Sequence, residues 1–122
     1  MRTDRQRRLA HALTATIPRA PFLDADAIRT AARAHHMRAL SPQSAVWLAT
    51  VAHIRHTHTD YDALMDEGYD RDAARFFVLD AINAVLDRWG GTRRLDADTD
   101  DGPPSAGIAE ITPAGDESTG RA

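Results

Sequence analysis

The stretch that most limits the fold begins at Ser41-Pro42 and runs to about His56. A capping hydroxyl followed by proline at the first helical position, where the missing N–H is harmless, is a strong helix start. Val46, Trp47, Leu48, Val51 and Ile54 then fall on several faces, so the helix is apolar nearly all round for three turns. Such a helix has no solvent side and must be surrounded by other helices. Its most apolar run, Ala45 to Ile54, is about half the roughly 20 residues of a membrane span, which makes it core and predicts no membrane attachment.

The flanking segments supply the surround. Thr3 or Asp4 can cap a first helix to about Thr16, with Leu9, Leu13 and Ile17 as an apolar stripe and Arg5, Arg7, Arg8 and His11 over the remainder. Pro18 stops it, and Pro18 to Pro21 is a stiff connector. Asp24 is placed to cap a second, Ala-rich helix presenting Ile28, Ala31, Ala32 and His35 on one face. Adjacent His35 and His36 point about 100° apart on a helix and do not easily share an ion. Asp60 to Asp66 forms a short helix stopped by Gly68; Asp70 caps the longest, Arg71 to about Trp89, ended by Gly90-Gly91. Ala74, Phe77, Val78, Ala81, Ile82, Val85 and Trp89 make its core face. Phe76, Leu79 and Leu86 fall outside that stripe, to pack on the first helix or to meet a partner.

After Trp89 the apolar period vanishes, and Thr92 to Ala122 lacks the burial to offset the entropy of ordering. The expected architecture is an all-α bundle of four or five helices. A basic N-terminal helix occupies residues 1–17, a helical core domain 18–91, and a disordered acidic tail 92–122.

Charge is distributed unevenly along the chain. Residues 1–56 hold nine Arg against three Asp; 57–90 hold three Arg against eight acids, and 91–122 three against seven. A basic front and acidic back define either an anion-binding surface or two halves that attract each other. All fifteen basic residues are Arg, a genomic compositional bias that lowers the weight of Arg abundance by itself. The chain has no cysteine, which removes disulfides, thiolate chemistry and Cys-based zinc sites and makes a reducing cytoplasm the expected compartment.

The chemistry concentrates in His53 to Asp62, where the central helix runs out. One account is purely structural: Arg55 and His56 complement the helix C-terminal dipole, Thr59 caps the next helix with Asp62 three residues on, and Tyr61 packs on the bundle. Function has three forms. In an anion pocket, Arg55, protonatable His and the Thr59 hydroxyl meet a phosphate, helped by backbone N–H groups of the next helix. In a metal- or His-dependent hydrolase, His53 and His56 at i and i+3 converge with Asp62, while His58 and Tyr61 are brought back by the turn. An acid/base site of His, Tyr and Asp lacks an obvious nucleophile.

The run His53-x-Arg55-His56-x-x-Thr59-x-Tyr61-Asp62-x-Leu64, followed by Gly68-Tyr69-Asp70-Arg71-x-x-Ala74-Arg75, resembles the signature of the bacterial and fungal family known as domain of unknown function 2293. The resemblance covers roughly Pro18 to Trp89. It implies no activity or cofactor, and none is expected. It does single out His53, Arg55, His56, Thr59, Tyr61, Asp62, Arg71 and Arg75 as the pattern's polar positions. The leading expectation is a non-enzymatic module binding an anionic partner, a nucleic acid or phosphorylated ligand, through that cluster. The alternatives are the hydrolase on His53, His56 and Asp62, and a protein-interaction or dimerisation module on Phe76, Leu79 and Leu86.

Overall fold

The computed structural model of the chain describes residues 3–97, and these form five α-helices with no strand among them. Helix α1 spans Asp4–Thr16, α2 Phe22–Ala32, α3 Pro42–His58, α4 Tyr61–Asp66 and α5 Arg71–Arg88, with one 3-10 turn at His35–Met37. Helix α3 lies at the centre and packs on α1, α2 and α5, while α4 leans on α5. The small all-α bundle expected from the sequence is therefore the fold.

Local signals set most helix ends. The Thr3 hydroxyl accepts the Gln6 N–H, and the Gln6 side chain returns to the Thr3 N–H, a reciprocal capping box. Ser41 caps α3 through the Ser44 N–H with Pro42 following, and Asp70 caps α5 through Ala73. Gly68 and Gly90 take positive φ, +102° and +73°, where a side chain would be strained. At Gly90 a Cβ would also press on Arg19 and Pro18. There the connector is tied to the end of α5, Arg19 N–H donating to the Trp89 carbonyl and Thr92 N–H to that of Thr16.

Side chains of α1, α2, α3 and α5 fill the core. Leu9, Leu13 and Ile17 are buried as the stripe predicts, as are Ala45, Val46, Trp47, Ala49, Val51 and Ile54 around α3. Helix α2 buries Ile28 and Ala32, whereas Ala31 on the same helix is exposed, and His35, past its end, is exposed as well.

Helix α5 departs from the expected stripe. Ala74, Val78, Ile82, Val85 and Trp89 are buried, but Phe77 and Ala81 are exposed and Leu86 is fully buried. The face toward the core is rotated by roughly half of one residue's 100° step. Chain beyond the helix adds to the core: the Asn83 side chain donates to the Leu95 carbonyl (2.9 Å) and accepts its N–H (2.8 Å). This folds the following strand of chain over α5, burying Leu95. Arg93 also lies over the Trp47 ring, 4.2 Å from its centre. Packing thus continues to Leu95, past the boundary expected at Thr92; the expected acidic tail from 98 to 122 lies outside the described residues. The partner surface of Phe76, Leu79 and Leu86 is not assembled as such, since Leu86 is core and Leu79 packs partly against it. Phe76 is instead exposed beside Phe77 and Tyr69. No helix among the described residues is long and apolar enough to cross a membrane.

Candidate functional site

The final turns of α3 send their polar side chains in different directions. Arg55 points inward, is 5% exposed, and lays its guanidinium 5.5 Å from the centre of the buried Tyr61 ring. A cation over an aromatic face is attracted by the ring quadrupole, and the long stem packs as an apolar group. Arg55 is thus turned into the fold rather than open at the surface where the sequence expects an anion pocket. Thr59 joins the two helices: its hydroxyl donates to the Arg55 carbonyl and accepts the Tyr61 N–H. It closes α3 and opens α4 at once.

His56 faces solvent. Its Nδ1 donates to the Asp62 carboxylate at 2.7 Å, and its ring stands edge-on to Tyr61. Asp62 therefore serves His56 rather than a capping box, and Asp60 precedes α4 with no side-chain cap. Arg71 is exposed in the first turn of α5, and Arg75 is half-buried one turn further on.

The structure does not bring His53 together with His56 and Asp62. His53 Nε2 donates to Oδ1 of Asp24 at 2.7 Å, and His58 Nε2 donates to the same oxygen at 2.7 Å. The ligand-type atoms of Asp24, His53 and His58 all lie within 4.8 Å of one another. Trp89, itself buried, stands edge-on against His58 with ring centres 5.6 Å apart. Asp24 is the member that the sequence places elsewhere, as a helix cap, while His58 is placed near the cluster but paired with no partner across the bundle. Asp24 reads as a cap from sequence, but α2 starts three residues earlier than that cap implies, after Pro21, and places Asp24 inside the first turn with its carboxylate free to cross to α3.

Electrostatics follow from this geometry. Burial pushes the Asp24 carboxyl up, but hydrogen bonds from His53 and His58, with the charge those rings carry when protonated, outweigh it and hold the group below its ordinary value. A depressed carboxyl stabilises the fold above its unfolded titration range, and that contribution is lost as pH falls through the lowered value.

A group of exposed cations lies apart from this cluster, on α1 and the connection from α2 to α3. The Arg5 guanidinium donates to the Met37 carbonyl at 3.0 Å, and Arg7, Arg8 and His11 line a groove with Pro42 and Gln43. These two contacts bracket residues 37–43 against α1. Arg38 lies within that bracket, with Arg33, His35 and His36 exposed just before it. Asp4, ion-paired with Arg7, is the acid that lines this groove.

A cysteine-free, five-helix domain with a His/Asp cluster bridging its second and third helices is thus the class of protein in hand. Residues 12–90 match the family described as Uncharacterized conserved protein (DUF2293), and the chain belongs to that family. No curated protein and no solved structure matches the chain.

Proposed function

We propose that the chain is a non-enzymatic binding module for a polyanion, a nucleic acid gripped by its phosphate backbone, acting in the cytoplasm. The observation that carries this reading is the packing of residues 37–43 against α1, where Arg5 holds the Met37 carbonyl, Arg7, Arg8 and His11 line a groove with Pro42 and Gln43, and exposed Arg38 follows Met37 in the chain. The anionic partner expected from the sequence is kept, but its binding face moves from residues 53–62 to this surface, because Arg55 is buried and His56 is engaged by Asp62.

The cations of α1 run from Arg5 to His11, about 9 Å along the helix axis at 1.5 Å per residue, rather than converging on one point. That spacing suits a string of phosphates better than a single one. The groove offers the guanidinium groups of Arg7 and Arg8, the kind of contact that positions a phosphate backbone.

Fluorescence anisotropy with a labelled duplex of about 20 base pairs tests it. Binding is expected at low salt, weakening with a log–log slope near −0.9 per phosphate neutralised. Arg8→Glu with Arg38→Glu reduces affinity at least about tenfold while helicity is unchanged, and His56→Ala has no effect. A duplex that fails to bind at low salt, or a response to small phosphorylated ligands alone, overturns the reading.

A further inference from the structure

The geometry points to a second, separate site: Asp24, His53 and His58 form a centre for one divalent first-row transition ion, bound through two imidazole Nε2 atoms and a carboxylate oxygen. This is independent of the basic face of α1 and uses none of its residues.

Three observations carry it. The donors come from three positions on two helices, the first turn of α2 and the last two turns of α3, so rigid elements hold them. Their ligand atoms already converge within 4.8 Å, and Asp24 Oδ1 sits 2.7 Å from each ring nitrogen. Around a tetrahedral ion with bonds of 2.0–2.1 Å, donors stand roughly 3.3 Å apart, so side-chain shifts of less than about 1 Å open the oxygen–nitrogen pairs and admit an ion. Finally, exposure is graded: the side chains of Asp24 and His53 are 16% and 17% exposed and that of His58 30%, which shields the ligands yet leaves an approach past His58. Trp89 against the His58 ring fixes its orientation.

The donor set selects the ion. Two imidazoles disfavour calcium and magnesium, which take oxygen ligands, and a chain without cysteine offers no thiolate for soft ions. Two nitrogens and one oxygen suit zinc or ferrous iron and leave coordination positions open to water or a small ligand. Proton balance is simple. The ionised Asp24 only accepts, so each imidazole now donates its Nε2–H; on metal binding that proton moves to Nδ1 of the ring or to solvent, and Nε2 presents its lone pair. His58 also lines a groove with Thr59, Leu64, Tyr69 and Phe77, so a ligand lodged there lies next to the centre.

The same three residues without an ion are a hydrogen-bonded tie between α2 and α3, and the experiment separates the two roles. Untagged full-length protein, stripped with a chelator, is titrated calorimetrically with Zn2+, Co2+, Mn2+ and Ni2+. Long-range 1H–15N NMR then follows the imidazole nitrogens as Zn2+ is added. One equivalent is expected to bind, shifting the Nε2 signals of His53 and His58 and leaving those of His56 in place. Asp24→Asn and His58→Gln weaken binding at least about tenfold, the order of change that lost ligand contacts produce. His58→Gln keeps an N–H donor for Asp24, so the tie survives while the ligand is lost; His56→Gln binds as the parent does. The site is overturned if no ion binds at about 0.1 mM, or if affinity persists in both Asp24→Asn and His58→Gln. It is overturned equally if His56→Gln removes the affinity. Should Asp24→Asn fail to fold, His58→Gln and the NMR assignment decide alone.

Discussion

Two histidine–aspartate contacts in this molecule have the same length and opposite settings. His53 donates to Asp24 at 2.7 Å and His56 donates to Asp62 at 2.7 Å. The first pair is 17% and 16% exposed and joins residues 29 apart, across two helices; the second is 54% and 61% exposed and joins residues six apart, around one turn. Distance alone would rank them equal. Setting separates them, because an exposed pair exchanges water for a partner at little net gain, whereas a shielded carboxylate that loses its donors keeps the desolvation cost. The shielded contact also closes a loop between α2 and α3, so it stabilises tertiary structure, while the exposed one merely decorates a helix junction.

The largest effect that separates them is expected from Asp24→Ala. It removes the acceptor shared by His53 and His58 and leaves two partly shielded donors without it. Hydrogen bonds to charged groups contribute about 1.5–3 kcal/mol, so a loss on that order is expected. In a domain of this size each kcal/mol lowers the melting temperature by roughly 4–8 °C. Thermal unfolding of metal-free protein reads it directly. A shift no larger than that of Asp62→Ala would break the comparison.

A double-mutant cycle sharpens it. Coupling between Asp24 and His53, from the single and double alanine variants in urea melts, should be about 1 kcal/mol or more, with some of the energy shared by His58 because all three residues form one network. The His56–Asp62 coupling should fall below about 0.5 kcal/mol and shrink further in high salt. Equal couplings would mean that burial does not govern these pairs.

The contrast between the two pairs also marks how far sequence reasoning reaches. Contacts within a few residues were legible: the Thr3, Ser41 and Asp70 caps, the Gly68 stop, the stripe of Leu9, Leu13 and Ile17, and the crowding of His53 to Asp62 at the end of an all-round apolar helix. Contacts across the bundle were not. Asp24 fits the cap pattern locally, and only the earlier start of α2 after Pro21 frees it for residues 29 and 34 further on. Helix α5 carries apolar residues over more than half its circumference, so its sequence does not say which arc turns inward. Leu95 adds to the core from beyond the helix, held by two hydrogen bonds to the Asn83 side chain. Arg55 illustrates the same limit: as a helix-end cation it looked available to an anion, and the Tyr61 ring that covers it is known only from the fold.

The smallest expected effect completes the comparison. His56→Ala removes an exposed ring whose partners are the exposed Asp62 and the edge of Tyr61. The Tyr61 ring stays buried and keeps Arg55 on its face, so neither the core nor the α3–α4 junction through Thr59 depends on His56. A change within about 1 kcal/mol is expected, with the midpoint of a urea melt barely moved and its slope unchanged. The ring-proton NMR signals of Tyr61 and the protection of α4 amides from exchange should match the parent. If His56→Ala instead destabilised as much as Asp24→Ala, the ring contact with Tyr61 would be the stronger link, and the junction between α3 and α4, rather than the bridge from α2, would be what the histidines hold together.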